Sequence, residues 1–223
     1  MSQNFIKLIQ SGSIDQVNVA LEGDPALADS RDPQGVSALL WAVYTGQTAI
    51  RDLLLKKRAE MGVALDVFES AATGNEAQLQ AILSQDASSA QVFSGDGWTA
   101  LHLAAAFGTP LSAAALIFRG ARVDAVSQNP QRNQPLHAAL ALGRAPSTIE
   151  LLLAHGADPN ATQTAGFSAI FSAATANRKD LAELLINHGA NPHLANDQGK
   201  TPADFAQERG YTDLAAWLKA QPK

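Results

Sequence analysis

A four-residue pattern returns along the whole chain at nearly constant spacing, and this periodicity constrains the fold more than any other feature. In its clear copies the first residue varies, the second is Ser, Thr or Gln, the third is Ala or Pro, and the fourth is Leu, Ile or Ala. Clear copies begin at Val36, Trp98, Asn133, Phe167 and Lys200, and weaker copies begin at Gln3 and Leu65. The starts lie 33 to 35 residues apart, except for one interval that is shorter by about five residues. A fixed period of this length is typical of a repeat protein.

A second motif recurs in phase with the first. Residues 149–160 run Ile-Glu-Leu-Leu-Leu-Ala-His-Gly-Ala-Asp-Pro-Asn, and residues 181–192 parallel them. Both motifs predict helices, because a Ser or Thr hydroxyl caps a helix N-terminus, Pro suits the first turn and Gly suits the C-terminus. Thr201 and Asp204 have the spacing of a capping box. Each unit is therefore predicted to be a helix, a turn, a helix and an extended turn, and it must stack on its neighbours.

With these motifs the sequence resembles the ankyrin-repeat family, whose repeat of about 33 residues carries a Thr-Pro-Leu-His signature. Ala38, Ala100 and Ala169 stand where the signature has Pro, and Leu40 and Phe171 stand where it has His. The resemblance implies an all-α ankyrin-repeat solenoid of about seven helix-turn-helix units with hairpin-like extended turns. We expect a single domain over residues 1–223, divided at 1–34, 35–62, 63–96, 97–131, 132–165, 166–198 and 199–223.

The composition argues against several classes of function. The chain has no cysteine, which excludes disulfides, thiolate metal sites and a cysteine nucleophile, and its net charge of −5 offers no basic surface for nucleic acid. The N-terminus lacks the apolar segment of a signal peptide, and the most apolar stretch, 101–118, is interrupted by a Gly-Thr-Pro turn. We therefore expect a soluble, cytoplasmic protein that is monomeric alone and binds neither membranes nor nucleic acids.

The histidines are candidate metal ligands, but their spacing argues against a shared ion. His102 and His137 occupy the signature position, and His155 and His188 precede the glycine of the second motif. Stacked helices lie about 8–10 Å apart, whereas zinc ligands lie about 2 Å from the ion. The resemblance implies that the signature histidine is a structural hydrogen-bonding residue. Because no catalytic motif is present either, we expect no catalytic residue, no metal and no cofactor.

The short interval falls at residues 59–63, where too few residues remain for the extended turn of the other units. One explanation is a harmless deletion in a surface loop. The other is a gap in the row of turns that bends the array or shapes a partner site. The preceding Lys56-Lys57-Arg58 cluster is predicted to lie at a helix C-terminus, where the helix dipole favours cations.

The resemblance also implies that a partner binds the concave face, which is formed by the first helices and the tips of the extended turns. Two positions in each unit point there: the residue before the helix cap, and the residues that end the first helix. The predicted partner-binding residues at these positions are Val36, Tyr44, Trp98, Phe107, Leu142 and Phe167. An apolar, aromatic surface often marks a binding site; the other explanation is that the rings pack against neighbouring turns.

These expectations lead to one main functional hypothesis and one alternative. The main hypothesis is a non-enzymatic adaptor that binds an unidentified partner protein through its concave face. The alternative is a small-ligand-binding protein or an enzyme with a pocket near the short segment at 59–63. The two differ in whether polar groups converge in a closed pocket at that segment.

Overall fold

The computed structural model describes residues 2–142 and 146–222, and α-helices dominate them. In chain order the helices are α1 (Ser2–Gln10), α2 (Ile14–Gly23), α3 (Ala38–Tyr44), α4 (Thr48–Glu60), α5 (Val67–Thr73), α6 (Glu76–Gln85), α7 (Ala100–Ala106), α8 (Pro110–Phe118), α9 (Pro135–Ala141), α10 (Pro146–Ala154), α11 (Ala169–Thr175), α12 (Lys179–Asn187), α13 (Pro202–Glu208) and α14 (Thr212–Lys219). Short 3-10 helices span Pro25–Asp29, Ala87–Ala90 and Thr164–Gly166. Strands β1 (Thr162–Gln163) and β2 (Phe167–Ser168) pair antiparallel.

The odd-numbered helices form a row, and each of them packs on the even-numbered helix that follows it. Along this row each odd-numbered helix contacts the next one, from α1 to α13. Alanines such as Ala104, Ala139 and Ala174 are buried between the helices, where a small side chain permits close packing. The structure thus confirms the predicted all-α solenoid of paired helices. The residue boundaries of the individual repeats stay a prediction.

Helix caps form where the signature motif predicts them. The Ser37 hydroxyl accepts the Leu40 N–H at the start of α3. Thr201 and Asp204 make the predicted capping box at α13, in which Asp204 accepts the Thr201 N–H at 2.9 Å. Ser168, before α11, makes no such side-chain bond. The local chemistry of the motif therefore defines most of these helix starts.

The two signature histidines, His102 and His137, each connect their own unit to the next one. His102 Nδ1 accepts the Thr99 N–H at 3.3 Å, so its Nε2 carries the proton and donates to the Asn133 carbonyl at 3.0 Å. His137 repeats the arrangement with the Gln134 N–H and the Ala161 carbonyl. Both rings are buried, and burial lowers the pKa of His102 to about 4 and also lowers that of His137. The geometry is that of the structural role that the resemblance implied.

Among the described residues, five extended turns lead into odd-numbered helices, and we call them fingers: residues 31–37, 93–99, 127–133, 162–168 and 196–200. The last four are joined by backbone hydrogen bonds. The Gln128 N–H donates to Gly97, the Thr164 N–H to Gln131 and the Asp197 N–H to Ala165, at 2.9, 2.9 and 3.1 Å. These bonds make the last four fingers a continuous row.

The short interval, residues 59–66, forms no finger. Helix α4 instead continues to Glu60, and a turn at Gly62, with a φ of 69°, leads directly to α5. The fingers at 31–37 and 93–99 are therefore separated by a unit that contributes no finger of its own. The consequence is a direct contact between those two fingers.

A buried ion pair occupies the place of the missing finger. Arg58 is only 2% exposed, and its Nη1 lies 2.5 Å from Oε1 of the fully buried Glu69. Its Nη2 donates to the Ala64 carbonyl at 2.9 Å and lies 3.2 Å from Oδ1 of Asp29. Arg58 lies in the last turn of α4, as predicted for the basic cluster, and its guanidinium also turns inward to carboxylates. Its side chain fills the space beneath the described residues 59–66, so the geometry gives no support to a ligand pocket there.

Gly95 marks the place where the two separated fingers touch. A Cβ built on Gly95 would lie 1.6 Å from the carbonyl oxygen of Gln34, far closer than any real contact. The finger 93–99 therefore packs with its backbone directly on the finger 31–37. Arg31 links the first of these fingers to the intervening unit, since its Nη2 lies 2.9 Å from Oδ2 of Asp66 at the start of α5.

We predict that Gly95→Ala destabilises the protein by about 1–3 kcal/mol, because the added methyl group overpacks the contact with Gln34. The matched control is Gly23→Ala, where nothing lies within 4 Å of the added Cβ. Urea unfolding of both variants measures the difference. Equal stabilities for the two variants would contradict the contact between the fingers.

We predict that His102 weakens the fold under mild acid. Its folded-state pKa of about 4 lies below the ordinary value of 6.5, so the unfolded chain binds the proton first as the pH falls. Stability is then lost between about pH 6.5 and pH 4, on the order of 2 kcal/mol by pH 5. Urea unfolding at neutral pH and at mildly acidic pH, compared with His102→Gln, measures this. An identical pH dependence in the variant would contradict it.

Candidate partner-binding surface

Three of the predicted residues form one aromatic cluster. Tyr44 ends α3, Trp98 lies in the finger 93–99, and Phe107 follows α7. The centroid of the Tyr44 ring lies 5.3 Å from that of Phe107 and 6.5 Å from that of Trp98, while the Trp98 and Phe107 centroids are 6.3 Å apart. The ring centroids of Trp41 and Tyr44 lie 6.0 Å apart in an edge-to-face arrangement. The cluster thus joins α3 to α7 although α5 lies between them in the row of helices.

Small residues in α5 permit the contact between the aromatic rings of the α3 and α7 units, which lie on either side of it. Ala72 occupies the position in α5 that corresponds to Val43 in α3 and Ala105 in α7, and it is buried beneath the aromatic rings. No finger stands between Tyr44 and Trp98 because residues 59–66 form none. The short interval and the small residues of α5 together bring side chains from non-adjacent units together.

Carboxylates in the fingers orient the two polar rings. The Tyr44 hydroxyl donates to Asp96 Oδ2 at 2.8 Å, and Trp41 Nε1 donates to Asp32 Oδ2 at 2.8 Å. The Ser94 hydroxyl donates to the other oxygen of Asp96. Burial, and next the negative charge of Asp96, raise the pKa of Tyr44, so the phenol remains a neutral donor. Within the described part of the chain, Asp96 makes no ion pair.

A cavity of about 420 Å³ opens beside the cluster. Its lining includes Tyr44, Asp96, Trp98, Phe107, Gln131, Asn133, Leu142 and Gln163. Leu142 is 50% exposed, although it is a large apolar residue. Asn133 is only 6% exposed, and its Oδ1 has no hydrogen-bond partner among the described residues. Buried polar atoms are nearly always hydrogen-bonded, so this oxygen is an exception within the lining of the cavity.

The six predicted residues fall in three places. Tyr44, Trp98, Phe107 and Leu142 line the cavity. Val36 is 3% exposed and packs beneath the aromatic cluster, because the residue before the cap of α3 turns toward the core. Its predicted direct contact with a partner does not fit this burial. Phe167 lies in a second cluster with Phe171 and Phe205, at centroid distances of 5.1 and 5.4 Å.

Sequence reasoning missed most of the polar residues of the cavity. Asp96, Gln131 and Gln163 belong to three fingers, and no motif distinguishes them from ordinary turn residues, whereas Asn133 stands at the position before the helix cap that was expected to face a partner. Asp96 contacts Tyr44, 52 residues earlier in the chain. The signal for Asp96 was the short interval, which was interpreted as a gap that bends the array or shapes a partner site. The aromatic rings pack against one another and also line the cavity.

A second cavity, of about 530 Å³, lies on the outer helices α6 and α8. It exposes Phe118, which is 86% exposed, and Leu111. The polar side chains Glu76 and Arg119 in its lining already have hydrogen-bond partners. We therefore place the candidate site at the first cavity, which is smaller but has an unpartnered acceptor and several aromatic faces. In the parts of the chain that the structure describes, no group of three His, Asp or Glu side chains is placed to hold a metal.

The fold and the signature define a class of protein, and sequence comparison agrees. A family model described as "Ankyrin repeats (3 copies)" matches residues 67–163 and 136–222, which together are more than half of the chain. The chain therefore belongs to the ankyrin-repeat family. Over residues 2–142 and 146–222, no helix has the length and apolarity needed to cross a bilayer.

A particular relative is the B-cell lymphoma 3 protein homolog of Mus musculus. The chain is 34% identical to it over 139 residues. The alignment covers 61% of this chain but only 31% of the relative. The chain thus corresponds to less than a third of that protein, and the similarity supports the repeat architecture rather than a shared activity.

We predict that the hydrogen bond between Tyr44 and Asp96 stabilises the contact between the two units. Tyr44→Phe should cost about 1–2 kcal/mol, because it leaves a carboxylate oxygen without its donor. Tyr211→Phe is the control, since the hydroxyl of Tyr211 bonds to no other described residue. Urea unfolding in a double-mutant cycle with Asp96→Ala measures the coupling. If the free-energy costs of Tyr44→Phe and Asp96→Ala simply add in the double variant, the interaction is contradicted.

Proposed function

We propose that the protein is a non-enzymatic interaction module that binds a partner protein through the surface formed by its fingers and odd-numbered helices. The observation that carries the proposal is the cavity beside Tyr44, Trp98 and Phe107, with exposed Leu142 at its side. Interface energy concentrates in buried aromatic anchors and the pockets around them. Membership of the ankyrin-repeat family makes protein binding the natural function of such a surface.

The remaining predicted residues have supporting roles in this proposal. Val36 holds the aromatic cluster from beneath, since it packs with Leu40 and Ala72. Phe167 supplies a second apolar contact farther along the array, where Lys200 lies 5.8 Å from the Phe205 ring. A partner that follows the row of fingers would meet the cavity first and the Phe167 cluster next.

The proposal includes a setting for the interaction. The net charge of −5 disfavours nucleic acid as the partner. We propose that the protein acts as a cytoplasmic monomer before it meets its partner. The absence of a catalytic motif supports a role in binding rather than in chemistry.

We predict that a photo-crosslinking amino acid at position 142 forms an adduct with a partner protein in the source cell, and that the same group at position 111 does not. The two positions are matched, because Leu142 and Leu111 are both exposed leucines, at 50% and 69%, but only Leu142 lines the candidate cavity. Mass spectrometry of the adducts identifies the partner. Adducts of one protein at position 111 alone would place the binding surface on the outer helices and contradict the proposal.

The identified partner then allows a measurement of affinity. Leu142→Ala should weaken binding by about tenfold, because a central apolar contact is typically worth more than about 1 kcal/mol. Leu111→Ala should leave the affinity unchanged. Isothermal titration calorimetry with the purified proteins compares the two variants. Equal affinities would show that the cavity is not the contact.

A further inference from the structure

The cavity is lined by aromatic faces and by hydrogen-bond acceptors, and no lysine or arginine is among its lining residues. Asp96 brings a carboxylate whose two oxygens, among the described residues, accept only from the neutral hydroxyls of Tyr44 and Ser94. Arg132, in the adjacent finger, forms no ion pair with it. The negative charge of Asp96 is thus uncompensated at the edge of an apolar cavity.

Two features of the site favour the same kind of ligand group. The faces of Trp98, Tyr44 and Phe107 attract cations through the ring quadrupole. Asp96 attracts them by charge, and Asp32 adds to the negative potential at Tyr44. A cationic N–H donor would satisfy both, whereas a purely apolar group would leave the Asp96 carboxylate without a counter-charge.

We propose that this cavity receives the cationic side chain of an arginine or lysine from the partner polypeptide. The charged end meets Asp96, and the flat or aliphatic part of the side chain lies against Trp98 and Phe107. This inference rests on the proposed function, because it specifies the chemistry of the partner that this surface binds. It also makes the binding sensitive to salt, since an exposed charge pair is screened.

The volume and position of the cavity support a polypeptide rather than a free metabolite. Its 420 Å³ lie in a surface between fingers, and half-exposed Leu142 lies beside it. A partner segment that places one cationic side chain in the cavity would cover Leu142 with a neighbouring apolar residue. The expected recognition sequence is therefore a basic residue next to an apolar one.

The test begins with a random peptide library displayed on phage and selected on the full chain. Enriched peptides are synthesised, and their affinities are measured by calorimetry for the wild type and for Leu142→Ala, which identifies peptides that use the cavity. We expect those peptides to share an arginine or lysine. Replacement of that residue by glutamine should weaken binding by about tenfold, as expected for the loss of a charge-assisted contact.

Variants of the protein test the other side of the contact. Asp96→Asn keeps the shape of the side chain and can still accept a hydrogen bond from Tyr44. It should weaken the binding of the basic peptides by about tenfold. Gln131→Glu adds a negative charge to the lining of the cavity and should strengthen the binding of the same peptides. Asp213→Asn, an equal change of charge on the exposed surface of the last helix, α14, should have no effect.

Two results would overturn the inference. One is a set of cavity-dependent peptides without a common cation, and the other is unchanged affinity in Asp96→Asn. In either case the proposed function survives, because the peptides still depend on Leu142. If all selected peptides instead bind Leu142→Ala as tightly as the wild type, the cavity is not a polypeptide site, and both proposals are contradicted.

Discussion

Contact between successive helix pairs is the interaction on which the whole structure depends. The helices of one pair, such as α7 and α8, are only 7 and 9 residues long. Such a pair cannot bury its apolar side alone. Buried alanines let the helices approach, and His102 and His137 each connect their unit to the next through a backbone carbonyl. Stability is therefore distributed along the array, and most contacts are between neighbouring units.

The short interval is the exception to this nearest-neighbour rule, and the candidate site depends on it. Without a finger at residues 59–66, Gly95 packs on Gln34, and Tyr44 bonds to Asp96. Side chains from units that are not adjacent then converge, as a linear stack otherwise does not allow. The convergence supplies the aromatic faces and the carboxylate from which both proposals about binding are argued. The deletion therefore has a structural consequence beyond the loss of a surface loop.

The parts of the fold that could be predicted from the sequence are those with local causes. The helix starts at Ser37 and Thr201 follow from capping chemistry, and the role of His102 followed from the family resemblance. The burial of Arg58 could not be predicted, because its partners Glu69 and Asp29 come from a different unit and from a 3-10 helix. Asp96 was missed for the same reason. The repeat pattern predicts which residues lie in the helices and which lie in the fingers. Only the three-dimensional packing determines which fingers touch.

The central claim is that the fingers at 31–37 and 93–99 touch across the unit that lacks one. Nuclear Overhauser effects in the isotope-labelled protein measure this most directly, through protons of Gly95 and Gln34 and through ring protons of Tyr44 and Phe107. The account predicts cross-peaks for both pairs. Cross-peaks from each finger only to its own unit, with none between these pairs, would contradict it.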